Sequence, residues 1–99
     1  MSDLAQRMAE LHARTQQTRI DFLQTDLDLC FTFISVAETE HRTGDRAAAE
    51  QALKHAENGY AAIWRFLPDV EHGEKRRELQ SQLSKLREIL DGLKRTMKQ

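Results

Sequence analysis

Residues 3–42 read DLAQRMAELHARTQQTRIDFLQTDLDLCFTFISVAETEHR, and the spacing of their apolar and threonine side chains decides the fold. Leu4, Met8, Leu11, Thr15, Thr18, Phe22, Thr25, Leu29, Thr32 and Val36 recur every four and three residues without a break. That period keeps all of them on one side of an α-helix, whereas strand side chains alternate every two residues. Neither proline nor glycine interrupts the stretch. It predicts one continuous helix, about 60 Å long at the usual rise per residue, with Ser2 placed to cap it.

The stripe changes character partway. Before residue 19 it is a narrow seam. From Ile20 to Ala37 the added Leu23, Leu27, Cys30, Phe31, Phe33 and Ile34 widen it to an arc of roughly 220°, where a helix with one buried face needs about 100°. The expectation is a central segment buried on two sides.

Downstream, Gly44-Asp45 supplies a left-handed C-cap followed by a helix-capping carboxylate, and Pro68 to Gly73 forms the second break. Proline also disfavours helical geometry at Leu67 before it. Between the breaks, Ala49, Leu53, Ala56, Tyr60, Ile63 and Leu67 share one face. Beyond them Leu79, Leu83, Leu86, Leu90, Leu93 and Met97 do the same. Gly59 and Gly92 fall inside these patterns, each weakening its helix by about 1 kcal/mol without ending it. Three helices are predicted over 3–42, 46–67 and 74–98. Their short connections make successive helices antiparallel. The fold class is therefore all-α, a three-helix antiparallel bundle with a long first helix, in a single domain spanning residues 1–99.

Helices 2 and 3 would be about 33 and 37 Å long, so the first fifteen or so residues of helix 1 overhang them. Leu4, Met8 and Leu11 then lie bare unless they meet another chain, or unless the helix breaks near Thr15–Thr18 and folds back. An isolated apolar seam marks association, and a homodimer through residues 1–18, in the manner of a coiled coil, is the expected outcome. Trp64 and Phe66 flank the seam of helix 2 without lying on it. Large aromatics off a core stripe are natural interface anchors, so they join Leu4, Met8 and Leu11 as candidate partner-binding residues, the protein partner being unspecified.

The composition narrows the function classes. The 99 residues carry 15 basic and 16 acidic side chains for a formal net charge of −1, which gives no global pull toward nucleic acid or an anionic membrane surface. Residues 1–50 hold five basic and nine acidic groups, residues 51–99 ten and seven. No run approaches the roughly 20 apolar residues of a membrane span, and no signal-peptide pattern opens the chain, so a soluble, cytoplasmic protein is expected. The lone Cys30 sits between Leu29 and Phe31 and reads as a small buried hydrophobe. The histidines at 12, 41, 55 and 72 show no metal-ligand spacing, and there is no phosphate loop or nucleophile elbow. No catalytic residue, metal or cofactor is assigned, and the expectation is a non-enzymatic protein.

Two further features bear on partners. Asp26 falls inside the wide apolar arc, and since an unpaired buried carboxylate is costly it should find a cation or donor, Arg19 or a basic residue from helix 2, helix 3 or a second subunit, or else sit at a solvated edge. On helix 3, Arg76, Arg87, Lys94 and Lys98 share one edge and are candidate phosphate contacts. That makes a nucleic-acid-associated protein the alternative reading. It is the weaker one, because acidic residues intersperse the line and no aromatic lies between its members for base stacking.

Around the first turn, Phe33, Val36, Ala37, Gly44, Asp45, Ala49, Leu53 and Ala56 stand at the offsets of a tetratricopeptide repeat, and residues 30–60 resemble one such helical hairpin. The sequence departs from that pattern at Glu40, where the family has an aromatic, and at Ala61, where it often has proline. A single copy is present, short of the about three that form a peptide-binding groove. What the resemblance implies is a protein-interaction role for a tetratricopeptide-like hairpin.

Overall fold

The computed structural model describes residues 2–98; the capping expected of the Ser2 side chain lies outside the described residues. Its elements are α1 (Ser2–Thr43), α2 (Arg46–Phe66), a 3-10 turn (Leu67–Asp69) and α3 (Gly73–Met97), with no strand among the described residues. The all-α three-helix expectation thus holds, and α1 runs through Thr15–Thr18 unbroken. The molecule measures 65 × 19 × 16 Å, its long axis set by one helix.

Each boundary has a local cause. Gly44 takes φ +90°, a backbone state that only glycine adopts cheaply, and the Asp45 backbone N–H donates to Glu40 O at 2.9 Å. The Asp45 carboxylate then accepts from Ala48 N at 3.0 Å, capping α2. At the far end of α2, Leu67 stays helical (φ −57°, ψ −40°), as the predicted end of helix 2 at residue 67 requires, despite the bias imposed by the proline after it. Its N–H still bonds Ile63 O, and its side chain is buried. Those gains outweigh the pre-proline bias, and the chain turns extended only at Val70. His72 Nδ1 caps α3 by accepting from Lys75 N at 3.2 Å.

The core is one cluster. Leu23, Leu27, Cys30, Ile34 and Ala37 of α1 pack against Ala49, Ala52, Leu53, Ala56 and Ile63 of α2, and the Leu79–Met97 stripe of α3 closes it. Leu67 and Val70 seal the end. Ala37, Ala49 and Ala56 are fully buried, small residues that let α1 and α2 approach closely. Phe33 of α1 stacks on His55 of α2 with ring centroids 5.0 Å apart. Glu57 and Tyr60 of α2 face Lys94 and Arg87 of α3, and Gln24 of α1 exchanges amide hydrogen bonds with Gln82 of α3.

The expectation that residues 20–37 are buried on two sides is met only in part. α2 and α3 cover different flanks of α1, with Phe33 stacked on His55 of α2 and Gln24 bonded to Gln82 of α3, and between them they leave the far edge of its wide apolar arc bare. The inner seam, Leu23, Leu27, Cys30, Ile34 and Ala37, is covered, while Phe22, Leu29 and Val36 on the outer seam remain 61, 49 and 42% exposed.

Candidate functional site: the outer seam of the first helix

The bare face is longer than the overhang. Leu4, Met8 and Leu11 are 67, 63 and 64% exposed, and with Thr15, Thr18, Phe22, Thr25, Leu29, Thr32 and Val36, all exposed, they form one continuous ridge. The ten residues whose spacing predicts the continuous helix are thus its bare side. Assigned to heptads, Met8, Thr15, Phe22, Leu29 and Val36 occupy a positions and Leu4, Leu11, Thr18, Thr25 and Thr32 d positions, the arrangement of a coiled-coil seam. The hydroxyls of Thr15 and Thr32 donate back to Leu11 O and Asp28 O at 2.9 and 3.1 Å. Their hydrogen-bonding need is met on their own helix.

Polar contacts on its flank tie the ridge to the bundle. The His12 ring pairs with Glu71, Gln16 bonds Asp69 O and Glu71 N at 3.2 and 2.9 Å, and Arg19 Nη1 donates to Asp69 O at 3.0 Å. These polar ties fasten the loop after the 3-10 turn to α1 just where the core gives out. Beyond them α1 projects alone.

Where bundle and projection meet, Thr15, Thr18, Arg19, Phe22, Leu23 and Phe66 line an open depression of about 380 Å³. Phe66, 46% exposed, is therefore brought to the outer seam, as an interface anchor would be. Trp64, 39% exposed, is not: it meets Tyr60 edge-on at 6.4 Å and lines a separate hollow with Leu67, Pro68, Arg76 and Gln80. Of the five candidate partner-binding residues, four thus border one face and Trp64 another.

The basic edge of α3 is largely engaged within the chain. Arg76 Nη1 donates to Val70 O at 2.7 Å. Arg87 pairs with Asp91 at 2.6 Å and lies over the Tyr60 ring, 5.0 Å from its centroid. The hydrogen bond to Asp91 raises the Arg87 pKa further above its ordinary value and holds the Asp91 carboxyl below its own. Lys94 Nζ sits 2.6 Å from Glu57 Oε1 in an ion pair whose angles fall short of a hydrogen bond. Lys98 is exposed.

Of the two readings of Asp26, a solvated edge or an ion pair, the ion pair is not formed among the described residues. The residue is half-buried, and Arg19 is committed to Asp69 O. Its nearest consequence is on Cys30, whose thiol is pushed up to about 11, first by burial and second by the Asp26 charge. A buried thiol held protonated is a poor nucleophile. His72, His12 and His55 are spread between a cap, an ion pair and an aromatic stack, and His41 lies in the last turn of α1. No group of three or more potential metal ligands exists among the described residues, and no described helix is long and apolar enough to cross a membrane.

The sequence reading missed that Phe22, Leu29 and Val36 belong to the same bare face as Leu4, Met8 and Leu11. A signal was there: Ile20, Leu23, Leu27, Cys30, Ile34 and Ala37 make a second four-three stripe, and two helices lying side by side cover only one of the two. No family model, curated protein or solved structure matches the chain.

Proposed function

We propose that the chain is a small, non-enzymatic helical interaction module that self-associates through the outer seam of α1. The observation that carries this reading is the ridge itself, six large apolar side chains from Leu4 to Val36 left bare in coiled-coil register along one face. A monomer rarely exposes a contiguous apolar patch beyond a few hundred Å², and such a ridge is covered in solution by another helix. The tetratricopeptide-like spacing of the α1–α2 hairpin, a pattern tied to protein binding, supports the same class. The module would present the remainder of the bundle, including the Trp64 hollow, to an unspecified protein partner.

Light scattering on the purified protein tests it. A dimer mass is expected for the wild type and a monomer mass for a Leu4→Glu, Leu11→Glu variant of unchanged helicity. A wild-type monomer at about 100 µM would refute the proposal, since useful self-association falls at or below that Kd.

A further inference from the structure

We infer that the partner on this seam is a second copy of the chain, running antiparallel, with residues 4 and 29 of the two helices opposite one another. The inference rests on the self-association proposed above and adds its direction and register. It follows from the charges that flank the ridge.

The g positions of the seam are Arg7, Arg14, Asp21, Asp28, Ser35 and Arg42, and the e positions Ala5, His12, Arg19, Asp26, Phe33 and Glu40. Arg7, Arg14, Asp21 and Asp28 are exposed, and none has a charged partner among the described residues. Among the described residues the carboxylates of Asp21 and Asp28 accept from Gln17 and Gln24 alone, each at 2.9 Å. Two cations followed by two anions on the same edge cannot neutralise each other within one helix at this spacing. They can between two.

In a parallel, in-register pair, g residues face the e residues that follow them in the partner. Arg14 would then meet Arg19, and Asp21 would meet Asp26. Like charges at both central positions disfavour that arrangement. In an antiparallel pair g faces g. The register that sets Leu4 opposite Leu29 pairs Arg7 with Asp28 and Arg14 with Asp21, and two-fold symmetry repeats both pairs, so all four contacts are attractive. A shift of one heptad in either direction puts Arg14 opposite Arg14 or Asp21 opposite Asp21. On the other edge His12 faces Arg19, where each chain's Glu71 sits against its own His12.

The same register satisfies the apolar layers. Leu4 meets Leu29, Met8 meets Thr25, Leu11 meets Phe22 and Thr15 meets Thr18, each twice. Every large bare residue between 4 and 29 is covered. The projecting end of one chain lies over the exposed central segment of the other, and the depression bordered by Thr15, Thr18, Phe22 and Phe66 falls at the two-fold axis, where the partner's helix fills it.

Cysteine cross-linking and charge exchange decide the matter. The buried native Cys30 stays out of the reaction, as a wild-type control verifies. Under mild oxidation, a mixture of Leu4→Cys and Leu29→Cys proteins should give a disulfide-linked dimer, and neither variant alone should, because its two thiols would be about 38 Å apart. Independently, R14D should weaken association roughly tenfold, and R14D combined with D21R should restore it.

Cross-linking of Leu4→Cys with itself would establish a parallel pair. Linkage of Leu4→Cys to Phe22→Cys or Val36→Cys rather than to Leu29→Cys would establish a shifted register. Either result, or failure of D21R to rescue R14D, overturns this inference while leaving self-association standing. A monomeric wild type overturns both.

Discussion

The sulfur of Cys30 on α1 occupies the space in which a side chain at Gly59 on α2 would begin: a Cβ built there falls well inside van der Waals distance of it. Gly59 is thus a tight point of contact between the two helices, and its missing side chain makes room for the thiol. Gly92, the other mid-helix glycine, has open space, its nearest neighbour being the mobile end of Arg95 at 3.8 Å.

These two glycines should respond oppositely to alanine. Replacing Gly92 should stabilise the protein by about 0.5–1 kcal/mol through helix propensity. Gly59→Ala gains the same propensity but overpacks the crossing, which typically costs about 1–3 kcal/mol, so it should be net destabilising. Urea denaturation of both variants checks the sign. Combining Gly59→Ala with Cys30→Ala should recover stability, since the obstacle is the sulfur.

The thiol also gives a pH dependence. Its pKa is raised from an ordinary 9.0 to about 11 in the folded protein, so between those values the unfolded chain loses a proton that the native state keeps. Native stability from this group is complete below pH 9 and falls as pH rises through 11. The stability advantage of wild type over Cys30→Ala should therefore shrink by about 2 kcal/mol between pH 8 and 11, read from denaturation curves at each pH. Below pH 8 the difference should stay constant.

The caps supply a third test. Asp45→Ala removes the acceptor for Ala48 N and should cost about 1 kcal/mol. His72 is an unusual cap, accepting from Lys75 N at 3.2 Å, and a carboxylate both accepts better and complements the helix dipole. His72→Asp should raise the melting temperature, by roughly 2–6 °C for about 0.5–1 kcal/mol in a domain of this size.

Much of this fold is legible in the sequence because its breaks are chemical. Gly44-Asp45 carries both a C-cap and an N-cap, and Pro68 starts a turn whose neighbours must leave the helix soon after. Which stripe of α1 is core is another matter. Periodicity reports that a helix has apolar faces and not what covers them, so the longest stripe, Leu4 to Val36, reads as the spine when it is the outside. The decision lies in long-range packing: Gly59 must meet Cys30, and Ala49 and Ala56 must lie against α1 near Ala37, which turns the adjacent inner stripe toward α2. The cap formed by His72 and the stack of Phe33 on His55 are hidden for the same reason, since neither leaves a distinctive spacing.

Phe22 and Leu23 put that distinction to the test, because they are adjacent in sequence, about 100° apart around the helix, and belong to different seams: Leu23 is 1% exposed and Phe22 61%. Leu23→Ala empties part of the bundle core and should lower unfolding free energy by about 2–5 kcal/mol at any protein concentration. Phe22 contributes little inside one chain, so Phe22→Ala should leave the stability of the dilute protein nearly unchanged. Its effect should appear as concentration rises. Wild-type melting temperature should increase with protein concentration, because association stabilises the native state by mass action, and Phe22→Ala should flatten that slope by removing the side chain opposite Leu11 of the partner. Melting curves over a hundredfold concentration range separate the two residues, and a slope in Phe22→Ala as steep as in wild type would mean that the outer seam is not what the chains share.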